Sequence, residues 1–316
     1  MSGQAVSVWR ALPAWLALLL LAPIIVGCGS SKPAEEIPAA DERLERTNRV
    51  AHIAFQSGRY AQAATLYRKV AELAYERDDV GGAVDAQYNA AVCLVRLDRI
   101  GEADELLQRT KAEIQRADQA EPVELRLLEA TILYRQQRYQ EAGALTEEII
   151  TSVPDSQAAH RAQFLRGLIA ADQDDQARLR AVIAGIGVSD DDRLKADQLE
   201  LAGHLALLEK RYDASVADFA ESARLRSAGS DYRGTVRALA KAGEAAEAAG
   251  RPSQASVHYL RAGRSALHQG ARERAYDLLI RARTLAEQAG DGDTAHEAQI
   301  YLTLLEESGV PPAPGG

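Results

Sequence analysis

Between residues 41 and 308 the apolar positions return at the spacing of one helix face, and Gly, Asp and Pro interrupt them at short intervals, as at Asp78-Asp79, Val153-Pro154-Asp155 and Gly290-Asp291-Gly292. The interruptions predict seven antiparallel helix pairs: 41–57 with 60–77, 80–97 with 100–117, 121–136 with 139–152, 155–171 with 174–185, 191–209 with 212–227, 230–249 with 252–268, and 271–289 with 292–308. The flanking segments GSSKPAEEIPAA (29–40) and GVPPAPGG (309–316) read as a disordered linker and tail. Within the array the weakest joint is AGIGVSDDD (184–192), where a short helix meets a Gly-rich turn; it is expected to hinge two sub-arrays.

The pairs are copies of one unit. GRYAQAATLY (58–67), DRIGEADELL (98–107), QRYQEAGALT (137–146), KRYDASVADF (210–219) and GRPSQASVHY (250–259) each place Arg second and a small residue sixth, at Ala63, Ala103, Ala142, Ser215 and Ala255. Upstream of each stretch, and of a degenerate copy in the long interval, a second small residue recurs at Ala51, Ala91, Ala130, Gly167, Gly203 and Gly243. Two helices per fixed period of about 40 residues is the signature of an all-α solenoid, in which each unit buries its apolar face against its neighbours. Small residues let paired helices cross closely, while Tyr60, Tyr67, Tyr139, Phe219 and Tyr259 are expected to fill the wedge between pairs. The turn arginines Arg59, Arg99, Arg138, Arg211 and Arg251 are expected to answer the last carbonyls of the first helix.

These residues resemble the tetratricopeptide repeat family. Gly243, Gly250, Ala255, Tyr259 and Ala262 stand in its register, as do Gly58, Tyr60, Ala63 and Tyr67. The chain departs from the family in a period nearer 40 than 34, in lacking the first-helix Trp, and in showing the terminal Pro only as Pro154. The resemblance implies a right-handed α-solenoid over 41–308 whose first helices line a concave groove. By register the groove residues are Asn48, His52, Asp85, Tyr88, Arg96, Thr131, Tyr134, Arg135, Arg161, His204, Arg237 and Glu244.

The N-terminus adds a location. Arg10 precedes an apolar run, Ala11 to Val26, that Pro13 and Pro23 make a poor membrane span, so residues 1–27 read as a signal peptide. Ile25-Val26-Gly27-Cys28 resembles the bacterial lipobox, which implies cleavage before Cys28, lipidation of that cysteine, and a linker over 28–40. Gly29, where an inner-membrane protein would carry Asp, implies attachment to the periplasmic face of the outer membrane, or to the cell membrane in a source with a single membrane.

Charge and cysteine content narrow the partners. The chain has 37 basic and 46 acidic side chains, a net charge of −9, so phosphate-rich nucleic acid is not expected as a partner. Cys93, in the apolar helix NAAVCLVRL, has no expected disulfide partner once Cys28 is lipidated, and reads as a packing thiol.

Catalytic and metal-binding patterns are missing. No two of the six histidines stand four apart, and Asp190-Asp191-Asp192 and Asp291-Gly292-Asp293 lack the closing Glu of a calcium loop and read as helix caps. Gly185-Ile186-Gly187 is half of a dinucleotide fingerprint with no preceding strand, and Ser265 has no nucleophile-elbow context. The expectation is a non-enzymatic protein without cofactor or metal: a membrane-anchored scaffold for an envelope protein or peptide. The alternative is a periplasmic sensor or carrier for a peptide or glycan.

Overall fold

The structure is a computed structural model that describes residues 42–186 and 190–307. The expected signal peptide, Cys28, the expected linker and tail, and residues 187–189 of the expected hinge lie outside the described residues.

Among the described residues there are fourteen helices in seven successive pairs. They are α1 (Glu42–Gln56) and α2 (Tyr60–Tyr75), α3 (Val80–Arg96) and α4 (Ile100–Arg116), α5 (Val123–Arg135) and α6 (Tyr139–Ser152), α7 (Gln157–Asp172) and α8 (Gln176–Ile186), α9 (Asp192–Leu208) and α10 (Tyr212–Ala228), α11 (Tyr232–Ala248) and α12 (Pro252–His268), and α13 (Arg272–Ala289) and α14 (Gly292–Glu307). Each helix packs on the next in chain order, and first helices also touch the first helices of neighbouring pairs, α3 on α5, α5 on α7 and α7 on α9. These are the neighbour-to-neighbour contacts of a solenoid.

The small residues sit where close approach requires them. Ala51, Ala91, Ala130, Ala63, Ala103, Ala142, Ser215 and Ala255 are all buried. A methyl group added to Gly203 would lie 2.9 Å from the Phe219 ring, and one added to Gly243 would lie 2.9 Å from the Tyr259 ring. In these two pairs the aromatic one turn past the small residue of the second helix therefore lies directly on the glycine of the first helix. Ser215 keeps the small volume and donates its hydroxyl across the crossing to the Gly203 carbonyl at 2.8 Å. Tyr67, Phe219 and Tyr259 are buried as expected. Tyr60 and Tyr139 are only half-buried, packed on Phe55 and Tyr134 of the preceding helices.

The turn arginines do something other than answer the first helix with their charge. Arg59, Arg99, Arg138, Arg211 and Arg251 are the N-cap residues of α2, α4, α6, α10 and α12, and none caps through its side chain. Their backbone N–H groups donate to the carbonyls of Ala54, Leu94, Leu133, Ala206 and Ala246, which closes the end of the first helix. A cation at a helix N-terminus opposes the dipole, and an acid inside the helix offsets it. Arg99 bonds Glu102 and Arg138 bonds Glu141, each three residues on, while Arg251 pairs with Asp213 of the preceding repeat.

The residue before each of these arginines takes the left-handed conformation: Gly58, Asp98, Gln137, Lys210 and Gly250. Lys210 holds φ 59° without the tolerance of Gly or Asp. That conformation costs an L residue roughly 1–2 kcal/mol, and glycine gives back up to about 1 kcal/mol through the freedom of the unfolded chain. Lys210→Gly is therefore expected to stabilise the array by about 0.5–1 kcal/mol, seen as a higher urea midpoint. A lower midpoint would contradict this reading of the turn.

Candidate functional site

The first helices carry the predicted groove residues, and the structure divides them. Asn48, His52, Asp85, Arg135 and Arg161 are exposed, and the His52 ring is bonded to Gln56 one turn on. Burial pushes the Tyr88 phenol up, with Glu124 adding to the effect and the guanidiniums of Arg161 and Arg96 opposing it. Those groups from α3, α5 and α7 are therefore neighbours. Thr131 is turned inward on its own helix, its hydroxyl donating to the Leu127 carbonyl at 2.9 Å. Tyr134 is half-buried and donates to Asp172 at 2.8 Å, tying α5 to α7. Glu244 is bonded to Lys241 at 2.7 Å.

His204 is buried: it is 8% exposed and lies edge-on to Phe219, its ring centroid 5.0 Å away. Burial pushes its imidazole down to about 4, with Lys241 and Arg237 acting in the same direction and Glu200 against it. The physical reason is its place in the register: one residue past Gly203, it shares the crossing that Phe219 fills.

One turn before His204, Glu200 is fully buried. Its carboxylate accepts from Arg237 Nη2 at 3.0 Å and pairs with Arg226 Nη2 at 2.7 Å. Burial alone would raise its pKa, but the two guanidiniums outweigh it and hold Glu200 at about 2. Arg226, 8% exposed, also reaches Asp197 at 2.5 Å and Asp231 at 2.9 Å. Both guanidiniums lie over the ring of Phe164 in α7, at 5.3 Å and 5.5 Å from its centroid. α7, α9, α10 and α11 thus meet in one ion network, and its contacts cross the junction expected to hinge.

A second assembly of cations forms between parts of the chain far apart in sequence. Arg233, in the first turn of α11, donates through Nη2 to the carbonyl of Arg96 at the end of α3, and its guanidinium lies 5.0 Å from the centroid of the Tyr60 ring. The sixth pair therefore touches the first and second. Burial, and after it the charges of Arg96 and Arg135, push the Arg233 pKa down. The Arg274 pKa in α13 is pushed down by desolvation first and then by Arg135 and Arg237, with Glu244 and Asp277 opposing. Arg96, Arg135 and Arg233 thus meet around the ends of α3 and α5, and Arg274 feels the charges of Arg135 and Arg237. Arg135 pairs with Asp98 and Arg237 with Glu200, whereas among the described residues Arg96, Arg233 and Arg274 have no carboxylate within 4.0 Å.

No protein-family model matches the sequence, and no curated protein is close enough to count as a relative. Solved structures do match. A Rap protein complexed with competence and sporulation factor is 10% identical, with a TM-score of 0.55 over 84% of this chain and 77% of that one. The apo form of the quorum sensor NprR from B. thuringiensis is 12% identical, with a TM-score of 0.54 over 84% of this chain and 82% of that one. A tetratricopeptide repeat protein from Parabacteroides merdae is 12% identical and has a TM-score of 0.44 over 83% and 98% of the two chains. The chain folds as a tetratricopeptide-like solenoid.

In this solenoid the groove chemistry is ionic and aromatic. Among the described residues no group of three His, Cys, Asp or Glu side chains is placed to hold a metal ion. Cys93 is fully buried beneath α1 and α2, and burial pushes its thiol up to about 12 against the pull of Arg96. A cleft of about 410 Å³ lined by Tyr232, Leu239, Arg261, Arg264 and His268 shares no residue with the arginine cluster.

The solenoid uses Arg233, Arg274, Glu200 and Phe164, which the groove register did not pick out. Arg233 precedes Arg237 by four residues and Glu200 precedes His204 by four, so each shares a helix face with a predicted residue. For Arg274 the sequence offers no comparable signal.

Proposed function

We propose that this chain is a lipid-anchored scaffold of the bacterial envelope whose solenoid groove holds a polypeptide partner, with no covalent chemistry of its own. Cys28 carries the acyl chains that fix it to the periplasmic face of the outer membrane, or to the cell membrane where there is only one. The observation that carries the reading is the meeting of Arg233 of α11 with the end of α3 at Arg96, beside Arg135 at the end of α5. Such a meeting of guanidiniums suits recognition of a folded or extended polypeptide better than turnover of a small substrate. The fold likeness to a Rap protein complexed with competence and sporulation factor supports the idea that grooves of this kind receive a partner. Crosslinking in the native envelope, followed by identification of the captured species, tests the reading. Recovery of a stoichiometric envelope protein supports it, and repeated recovery of none counts against it.

A second reading, a periplasmic sensor or carrier of a peptide or glycan, draws on the contact of Arg233 with Arg96 and Tyr60, which joins distant repeats and would narrow the groove around a small ligand. A ligand-dependent rise in melting temperature with no protein captured would favour it.

The anchor has its own test. Cys28→Ser is expected to block lipidation and release the protein from the membrane fraction or leave it unprocessed. Stable attachment takes more than one acyl chain, each buried CH₂ contributing roughly 0.8 kcal/mol, so the native protein should resist salt extraction. Mass spectrometry finding an unmodified mature N-terminus would refute the assignment.

A further inference from the structure

We propose that the cluster of Arg96, Arg135, Arg233 and Arg274 is a docking site for an acidic, extended segment of a partner protein, read through carboxylates about three residues apart. The inference rests on the scaffold reading and adds the chemistry of the partner.

Electrostatics point to an anion. The whole chain carries a net charge of −9, yet Arg96, Arg135 and Arg233 meet at the ends of α3 and α5, and among the described residues Arg96, Arg233 and Arg274 have no carboxylate within 4.0 Å. Like charges held together destabilise the fold unless something neutralises them; burial first, and the neighbouring guanidiniums after it, push Arg233 and Arg274 down, with Asp98 opposing at Arg233 and Glu244 and Asp277 opposing at Arg274. A basic cleft on an acidic protein focuses attraction for an anion on one place, because the remaining surface repels it. Guanidinium forks match carboxylates in a bidentate way that ammonium groups do not, and the cluster contains no lysine.

Geometry points to an extended polypeptide. Arg96 and Arg135 are the last residues of α3 and α5, neighbouring first helices in contact. Packed helices stand roughly 8–10 Å apart, and an extended chain advances about 3.3 Å per residue. Arg96 and Arg135 therefore match side chains about three positions apart.

The probe is a fluorescein-labelled twelve-residue peptide of four Glu-Ser-Gly repeats, with its Gln-Ser-Gly counterpart as control, titrated into the mature protein by fluorescence anisotropy. The Glu peptide is expected to bind at least tenfold more tightly than the Gln peptide and to weaken as NaCl rises. Arg96→Gln with Arg274→Gln, side chains without a carboxylate partner among the described residues, is expected to weaken it at least tenfold at an unchanged circular dichroism melt. Arg109→Gln with Arg224→Gln removes the same charge from exposed pairs elsewhere and should change affinity less than twofold.

Equal binding of the two peptides, undiminished binding by the cluster variant, or equal loss in the control variant would overturn the proposal. So would retention on phosphatidylglycerol vesicles with no binding of the Glu peptide, which would assign the cluster to a membrane. If the envelope partner is captured equally by the cluster variant, this inference fails while the scaffold reading stands. If the Glu peptide binds as expected and no envelope partner is captured, the site stands and the scaffold reading fails.

Discussion

Glu200→Ala is expected to destabilise the array by about 3–5 kcal/mol, the usual cost of removing one partner from a buried ion network. The carboxylate is fully buried and serves two guanidiniums, Arg226 at 2.7 Å and Arg237 at 3.0 Å. Without it Arg226 keeps Asp197 and Asp231, but Arg237 loses the only carboxylate within 4.0 Å among the described residues. An exposed pair offers the comparison: Glu105, 70% exposed and 3.2 Å from Arg109, should cost less than about 1 kcal/mol on replacement by Ala. Urea unfolding followed by circular dichroism separates the two. Because repeats are coupled to their neighbours, the loss should appear first as early unfolding around α9–α11. Equal midpoints for the two variants would mean that the network does not hold these helices together.

Acidification is expected to remove about 3 kcal/mol between pH 6.5 and pH 4 through His204 alone, since each unit of pKa difference corresponds to about 1.4 kcal/mol. The folded imidazole titrates at about 4 against 6.5 for the free side chain. Across that window the unfolded chain binds the extra proton, so stability falls as pH falls and levels off below the folded value. Glu200, held at about 2 against 4.5, adds a second loss as pH drops from 4.5 towards 2. The two windows follow one another, which predicts a continuous decline in urea midpoint rather than a single step. His204→Gln should flatten the upper window and leave the lower one in place. A variant retaining the full slope between pH 6.5 and 4 would show that another group is responsible.

The register placed the candidate residues on the first helices, and the structure shows which of them are buried. Register placed Tyr88, Arg96, Tyr134 and Arg135 on adjacent first helices, and the structure brings Tyr88, Arg96 and Arg161 near one another. His204 had the same register but sits beside Gly203, where the helices come close enough to enclose it against Phe219. Period alone does not reveal how near the backbones come at each crossing. Arg237 was placed in the groove without its partner, because Glu200 stands on a different helix 37 residues earlier.

What the sequence by itself determined is the local and repetitive part of this protein. The helix boundaries follow from capping and left-handed turn residues within a few positions of each end, as at Gly58 and Asp98. The pairing follows from small residues such as Ala63, Gly203 and Gly243, whose spacing is written directly in the chain. These are nearest-neighbour effects, and a sequence records them because the interacting residues lie within about one repeat of one another. Only the tertiary structure decided that Arg233 reaches the end of α3 across 137 residues and meets Arg96 there. That meeting depends on small rotations summed over four successive repeats. An error of a few degrees in each accumulates into displacements larger than a side chain, so no local pattern can encode which distant residues face one another.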